Sequence, residues 1–169
     1  GNLTHPDVPI SIHYRQISIQ TKNMDITDND ILFEDNHLIA VNKRAGDIIQ
    51  IDDTGDEPLD EKVKRYIAKK YNKPNGAFLG VVHRLDRPVS GVILFTKTSK
   101  ALERINYMFK NREMKKTYWA VVRKRPEIPE GNLVHWLVKN PQKNVTKAYE
   151  KEVQGSQRAE LNYKLIGEL

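Results

Sequence analysis

The chain has 169 residues, 38% of them hydrophobic, enough to bury one sizeable core and to favour one domain over two. It has no cysteine, which excludes disulfides, thiolate zinc sites and cysteine nucleophiles together, and no apolar run approaches the roughly 20 residues that cross a bilayer, so no membrane role is expected and a cytoplasmic setting is. Lys and Arg outnumber Asp and Glu by 28 to 22 for a formal charge of +6, which favours a polyanionic partner; residues 1–96 hold 12 basic and 14 acidic side chains, residues 97–169 hold 16 and 8, so the whole excess lies in the later part.

Residues 1–29 read as a polar arm, interrupted by Pro6 and Pro9 and ending in an acidic cluster, with Ile10, Ile12, Tyr14, Ile17 and Ile19 hinting at one or two edge strands at most. Two strands are predicted over 31–34 and 37–42, joined by a turn at Asp35-Asn36. The Asp-rich stretch 52–60 lacks the ordered ligand spacing of a calcium loop and reads as a solvent loop. Pro58, acidic Asp60 and Glu61, and apolar Leu59, Val63, Tyr66 and Ile67 at helical spacing predict a helix that ends before Pro74-Asn75-Gly76.

Val81-Val82 and Val92-Ile93-Leu94-Phe95 then bracket a polar turn, and a second helix follows, capped by Thr98 or Ser99, with Leu102, Ile105 and Phe109 on its buried side. Further strands are expected over 117–122, 133–138 and 159–166, with turns at 126–131 and 140–144. The fold class expected is α+β, a largely antiparallel mixed sheet with packed helices.

The polar turn carries the most chemistry. In His83-Arg84-Leu85-Asp86-Arg87-Pro88-Val89-Ser90-Gly91 one carboxylate stands between two guanidinium groups, a setting that would keep Asp86 ionised, as a nucleophile or base requires. The plainer reading is a turn carboxylate paired with Arg84 or Arg87. His83, at a strand end, reads as a hydrogen-bonded structural histidine, and no metal-ligand spacing links it to His37 or His135. Tyr118, beside Trp119 and Val121, reads as strand packing. The basic run 110–116, with Lys97, Lys100 and Arg104 before it and Arg123-Lys124-Arg125 after it, reads as a solvated face or a phosphate-binding one.

The nonamer resembles the His-Arg-Leu-Asp signature of the RluA family of RNA pseudouridine synthases. Three other stretches agree in order: 31–43 with the family's opening strand pair, Lys116-Thr117-Tyr118 with its Lys-x-Tyr motif, and 109–116 with the segment leading into it. Arg44 stands where the family's Asn-Lys-Pro-x-Gly turn has Pro, and Val89 where Thr precedes the Ser. The resemblance implies the pseudouridine synthase catalytic-domain fold over 30–169, acting without a cofactor on structured ribosomal or transfer RNA; separately, no metal site and a monomer are expected.

It also implies roles. Asp86 would attack C1′ or act as a base at the 2′ position, and Tyr118 would lie against the target base. Arg84 would help hold that base out of its stack, and Arg87, Lys115 and Lys116 would contact RNA. The family's strand carrying the Arg that pairs with the catalytic Asp has no match before Leu169, so a catalytic domain lacking its C-terminal part is expected. A non-catalytic RNA-binding protein retaining the fold, and more distantly an RNA-directed glycosidase or hydrolase using Asp86, are the alternatives.

Overall fold

The computed structural model describes residues 24–143 and 145–168; the arm expected over 1–29 lies outside these up to residue 23. Two compact units emerge, one ending at Lys116 and one beginning at Thr117. The first contains β1 (Ile31–Glu34), β2 (Leu38–Lys43), α1 (Leu59–Lys70), β3 (Gly80–Val81), β4 (Gly91–Thr96) and α2 (Ser99–Lys110). The second contains β5 (Glu130–Asn140), β6 (Val145–Tyr149) and β7 (Gln157–Lys164).

In the first unit the strands form one sheet in the order β1-β2-β4-β3, antiparallel at every pairing. Asp35 closes the β1–β2 turn as its sequence position suggested, its carboxylate accepting from the backbone N–H of His37 at 2.7 Å and of Leu38 at 2.6 Å. Period-two alternation then decides which residues face α1. Ile39 pairs with Phe95 and Val41 with Ile93, and all four are fully buried against Leu59, Val63 and Ile67 of the helix. Each such side chain contributes about 1.5–3 kcal/mol relative to exposure, so this layer is the main stabilising element.

Helix α1 begins after Pro58, which precedes the first helical residue, with Asp60 and Glu61 in its first turn and Lys69 and Lys70 in its last, charges that complement the helix dipole. Asn72 takes a left-handed conformation with φ 49°, letting the Lys73 N–H donate to the Ala68 carbonyl at 2.8 Å; Asn tolerates that conformation well. Helix α2 packs on the β3–β4 side and starts at Thr98, whose hydroxyl accepts from the Ala101 N–H at 3.2 Å. The close approach needs Gly80, where a Cβ would lie 2.9 Å from Leu102 Cδ1 and press on the Thr96 hydroxyl.

A charge cluster ties β1, α1 and the end of β4 together. Glu34 accepts from Lys97 at 2.7 Å, from Lys70 at 2.8 Å and from the Tyr71 hydroxyl at 2.8 Å. Burial works against its ionisation, yet these donors outweigh it and hold the carboxyl at about 2. The end of the acidic arm is docked: Ile26 packs against the core, and Asp30 is buried on Arg44 at 2.6 Å.

In the second unit β5 lies between β6 and β7, again antiparallel, with Leu133 opposite Leu161 and Trp136 opposite Tyr149. The α+β class and antiparallel character stand as expected, but the strands divide into two sheets. The strand expected over 117–122 is absent: the segment has no regular structure, Trp119 is 87% and Val121 84% exposed, and it pairs with none of the described strands. Strand propensity without a neighbour to accept the ladder hydrogen bonds does not make a strand. Strand β6 goes unanticipated, because all five of its residues are exposed and its pattern shows no buried face. No described residue beyond Ile105 is buried.

Candidate active site

The signature run leaves β3 at Val81 and re-enters the sheet at β4, and its course is fixed at both ends. Beyond the last β3 pairing, the Leu94 N–H donates to His83 Nε2 at 2.9 Å, so the imidazole side chain takes over where the backbone ladder stops. An accepting Nε2 is unprotonated. Burial, and secondarily the positive charge of Lys116, hold His83 below its ordinary value, and its ring stacks on Phe109 of α2 with centroids 5.6 Å apart. His83 is therefore structural, as expected. Leu85 packs against the core and anchors the middle of the run.

The chain then reverses, the Val89 N–H donating to the Asp86 carbonyl at 3.0 Å. Beneath this turn lies Lys43, the last residue of β2 and fully buried. Its Nζ donates to the carbonyls of Val89 at 2.6 Å, Arg87 at 3.1 Å, Asp86 at 3.2 Å and Arg44 at 3.1 Å. Four acceptors share three N–H groups, and three of the four belong to the turn. Burial pushes the Lys43 ammonium below its ordinary value, and the carboxylates of Asp47 and Asp86 partly offset this. Gly46, at φ 100°, adds a backbone donor to the Arg87 carbonyl at 2.7 Å, a conformation that disfavours any side chain there.

Held in this way, the turn presents the Asp86 carboxylate to solvent with no hydrogen bond or ion pair among the described residues. Arg84, two residues earlier, is likewise exposed and without an ion-pair partner among them. The expectation that two guanidinium groups flank the carboxylate is not met. Arg87 turns to the 52–56 loop, donating to Asp56 at 2.7 Å and to the Thr54 hydroxyl at 2.7 Å, with Asp52 at 3.6 Å. Its donors are engaged by an acidic loop instead of standing open to phosphate, and 52–60 is more than a solvent loop. Among the described residues no group of acidic and His side chains could hold a metal ion.

The remaining residues singled out in the sequence lie further along. Lys115 and Lys116 are exposed on the segment after α2, still in the first unit, while Tyr118 belongs to the second unit and is 61% exposed. Sequence reasoning missed the buried role of Lys43, although a signal existed. In the alternation of 38–43 the residues 39, 41 and 43 share the core-facing phase, and a lysine in that phase needs acceptors to be tolerated.

A family model described as RNA pseudouridylate synthase matches residues 37–169. The tRNA pseudouridine synthase C of Vibrio cholerae is 30% identical over 140 residues, covering 83% of this chain and 54% of that protein. A ribosomal large subunit pseudouridine synthase C of Buchnera aphidicola is 35% identical over 94 residues, 56% of this chain and 28% of that protein. The chain thus spans about half the length, or less, of these relatives. In fold, the human RNA pseudouridylate synthase domain containing 4 superposes with a TM-score of 0.65 at 19% identity, covering 80% of this chain and 53% of the human one.

Proposed function

Because the chain belongs to the RluA-type family of RNA pseudouridylate synthases, we propose that the protein isomerises specific uridines to pseudouridine in structured RNA, transfer or ribosomal, with Asp86 as the reacting carboxylate. The observation that carries this reading is the exposed Asp86 side chain, without hydrogen bond or ion pair among the described residues, on a turn whose carbonyls are gathered by one buried ammonium. A group that must meet substrate is best left free, while the backbone behind it is fixed in advance.

In one route the Asp86 carboxylate attacks C1′, the C1′–N1 bond breaks and its electron pair leaves with the uracil. In the other, Asp86 removes the 2′ proton while the same bond breaks, giving a glycal. In both, uracil rotates, its C5 bonds to C1′, Asp86 is released or returns its proton, and the C5 proton is lost while N1 regains one. We assign Tyr118 to the face of the base, where its ring stacks and its hydroxyl assists that last proton removal. Arg84 is assigned to holding the base out of its stack, and Lys115 and Lys116 to RNA phosphates. Arg87 is assigned to the acidic loop first, reaching RNA only by exchanging its present partners. The chemistry needs no cofactor.

The test is Asp86→Asn in the full-length protein, with nucleosides of the treated RNA separated and pseudouridine quantified. Loss of pseudouridine with RNA binding retained supports the assignment. Isomerisation at a tenth of the parent rate or more removes Asp86 from it.

A further inference from the structure

Resting on the reading that the substrate is RNA, we propose that the outer face of α2 is a second RNA-binding surface, a track for a single-stranded segment beside the target uridine. Phosphates would lie on Lys100, Arg104, Lys110 and Arg112, and one unpaired base would stack on Tyr107. Two observations carry it, and a third places Arg112 at the end of the row.

The first is ion pairing. On α1 and its exit, Lys62, Lys64, Arg65 and Lys70 each sit on a carboxylate, and only Lys69 and Lys73 are exposed without an ion pair among the described residues. On α2 and its exit, Lys100, Arg104, Lys110 and Arg112 are all exposed and none has an ion-pair partner among the described residues. Cations left unneutralised are those that gain from displacing counterions on a polyanion.

The second is Tyr107. It is 63% exposed on the helix face opposite buried Ile105, at helical spacing from Arg104 and Lys110 and in phase with Lys100. An aromatic ring exposed between cations is the arrangement that binds single strands, the ring stacking on a base while the cations hold the backbone. From Lys100 to Lys110 the helix rises about 15 Å, room for a short single-stranded segment.

The third is backbone conformation at the helix exit. Arg112 occupies the left-handed position, φ 57°, that ends α2, with the Glu113 N–H donating to the Met108 carbonyl at 2.9 Å. Gly or Asn is favoured there, and α1 uses Asn72 at the equivalent position. Arg112 thus stands at the C-terminal end of the row, exposed and without an ion-pair partner among the described residues.

The experiment measures binding of the full chain to a fluorescein-labelled 12-nucleotide RNA that contains no uridine, across a salt series. With no isomerisable base in the probe, the outcome is separate from that of the Asp86 test. The triple variant Lys100→Gln, Arg104→Gln and Lys110→Gln should weaken binding and lower the slope of log K against log salt by about two, at about 0.7 for each phosphate no longer neutralised. The variant Lys64→Gln, Lys69→Gln and Lys73→Gln, with the same reduction of charge on the α1 side, should leave the slope within about 0.5 of the parent. Tyr107→Ala should weaken binding about tenfold with the slope unchanged, and Tyr107→Phe should restore it. Equal slope changes in the two triple variants would reduce the effect to net charge and overturn the track. So would a neutral Tyr107→Ala, or photo-crosslinks from the RNA that miss the α2 peptide in the unaltered protein.

Discussion

Replacing Lys43 with Met keeps the length and apolar stem of the side chain and removes its ammonium. Four backbone carbonyls would then be without their shared donor, three of them in the Asp86 turn. A hydrogen bond to a charged group contributes about 1.5–3 kcal/mol and the ammonium has three N–H groups, but relief of its own desolvation returns part of this, so the expected net destabilisation is about 3 kcal/mol. For a slope of about 1.5 kcal/mol per molar in urea, the unfolding midpoint should drop by about 2 M. The turn would also be freed of the constraint that aims its carboxylate, and a displacement of about 1 Å at a reacting group costs about a hundredfold in rate. Both effects are read on one preparation, urea unfolding by circular dichroism and pseudouridine formation under saturating RNA. A Lys43→Met protein with its midpoint within about 0.3 M of the parent and full turnover would refute the claim that this ammonium organises the turn.

Other expectations follow from the packing and charges. Glu34, held at about 2 in the folded chain against an ordinary 4.5, contributes about 3 kcal/mol above pH 4.5, a stabilisation that disappears as pH falls from there toward 2. Glu34→Gln should flatten that acid limb in unfolding experiments, and an unaltered limb would contradict the cluster's role. His83, held below its ordinary 6.5, stabilises the fold above about pH 6.5, and that contribution declines as pH drops below it. His83→Gln keeps an acceptor for the Leu94 N–H, so the difference in stability between pH 7.5 and 5.5 should shrink; an identical difference would show that His83 does not titrate in unfolding. Gly80→Ala should cost about 1–3 kcal/mol by overpacking, and Leu102→Ala in the same chain should recover part of it, a non-additivity that thermal melts of the two single variants and the double will detect or exclude.

Where one local rule decided the structure, the sequence was legible. Both helices lie where periodicity and capping put them, Thr98 included, and the strands 31–34, 38–43 and 91–96 follow alternation bounded by turn residues. The run 117–122 had the right residues for a strand, but pairing is not encoded in the segment itself. Strand β6 had the converse problem, a paired segment with no buried face to mark it. At the site, Asp86 and its turn were visible, while the partner of Arg87 was not. Arg87 lies in the turn itself, and its guanidinium is directed away from Asp86 to acidic residues some thirty positions earlier that only the folded loop brings near. Lys43 shows the same limit: its phase in the strand was readable, its four acceptors were not.

Because every buried residue among those described lies at or before Ile105, the order of synthesis has a physical meaning here. A ribosome adding about 5–20 residues per second delivers all the side chains of this core, and Lys43 with the turn it gathers, before the segment that carries Tyr118 exists. The carboxylate-bearing half can mature as soon as α2 has emerged, about a second ahead of the ring proposed to face the base. On the proposed reading, errors in translation or destabilising substitutions beyond Lys116 would then leave behind a chain whose Asp86 turn is already formed but whose contacts to RNA are incomplete, expected to bind RNA without converting it.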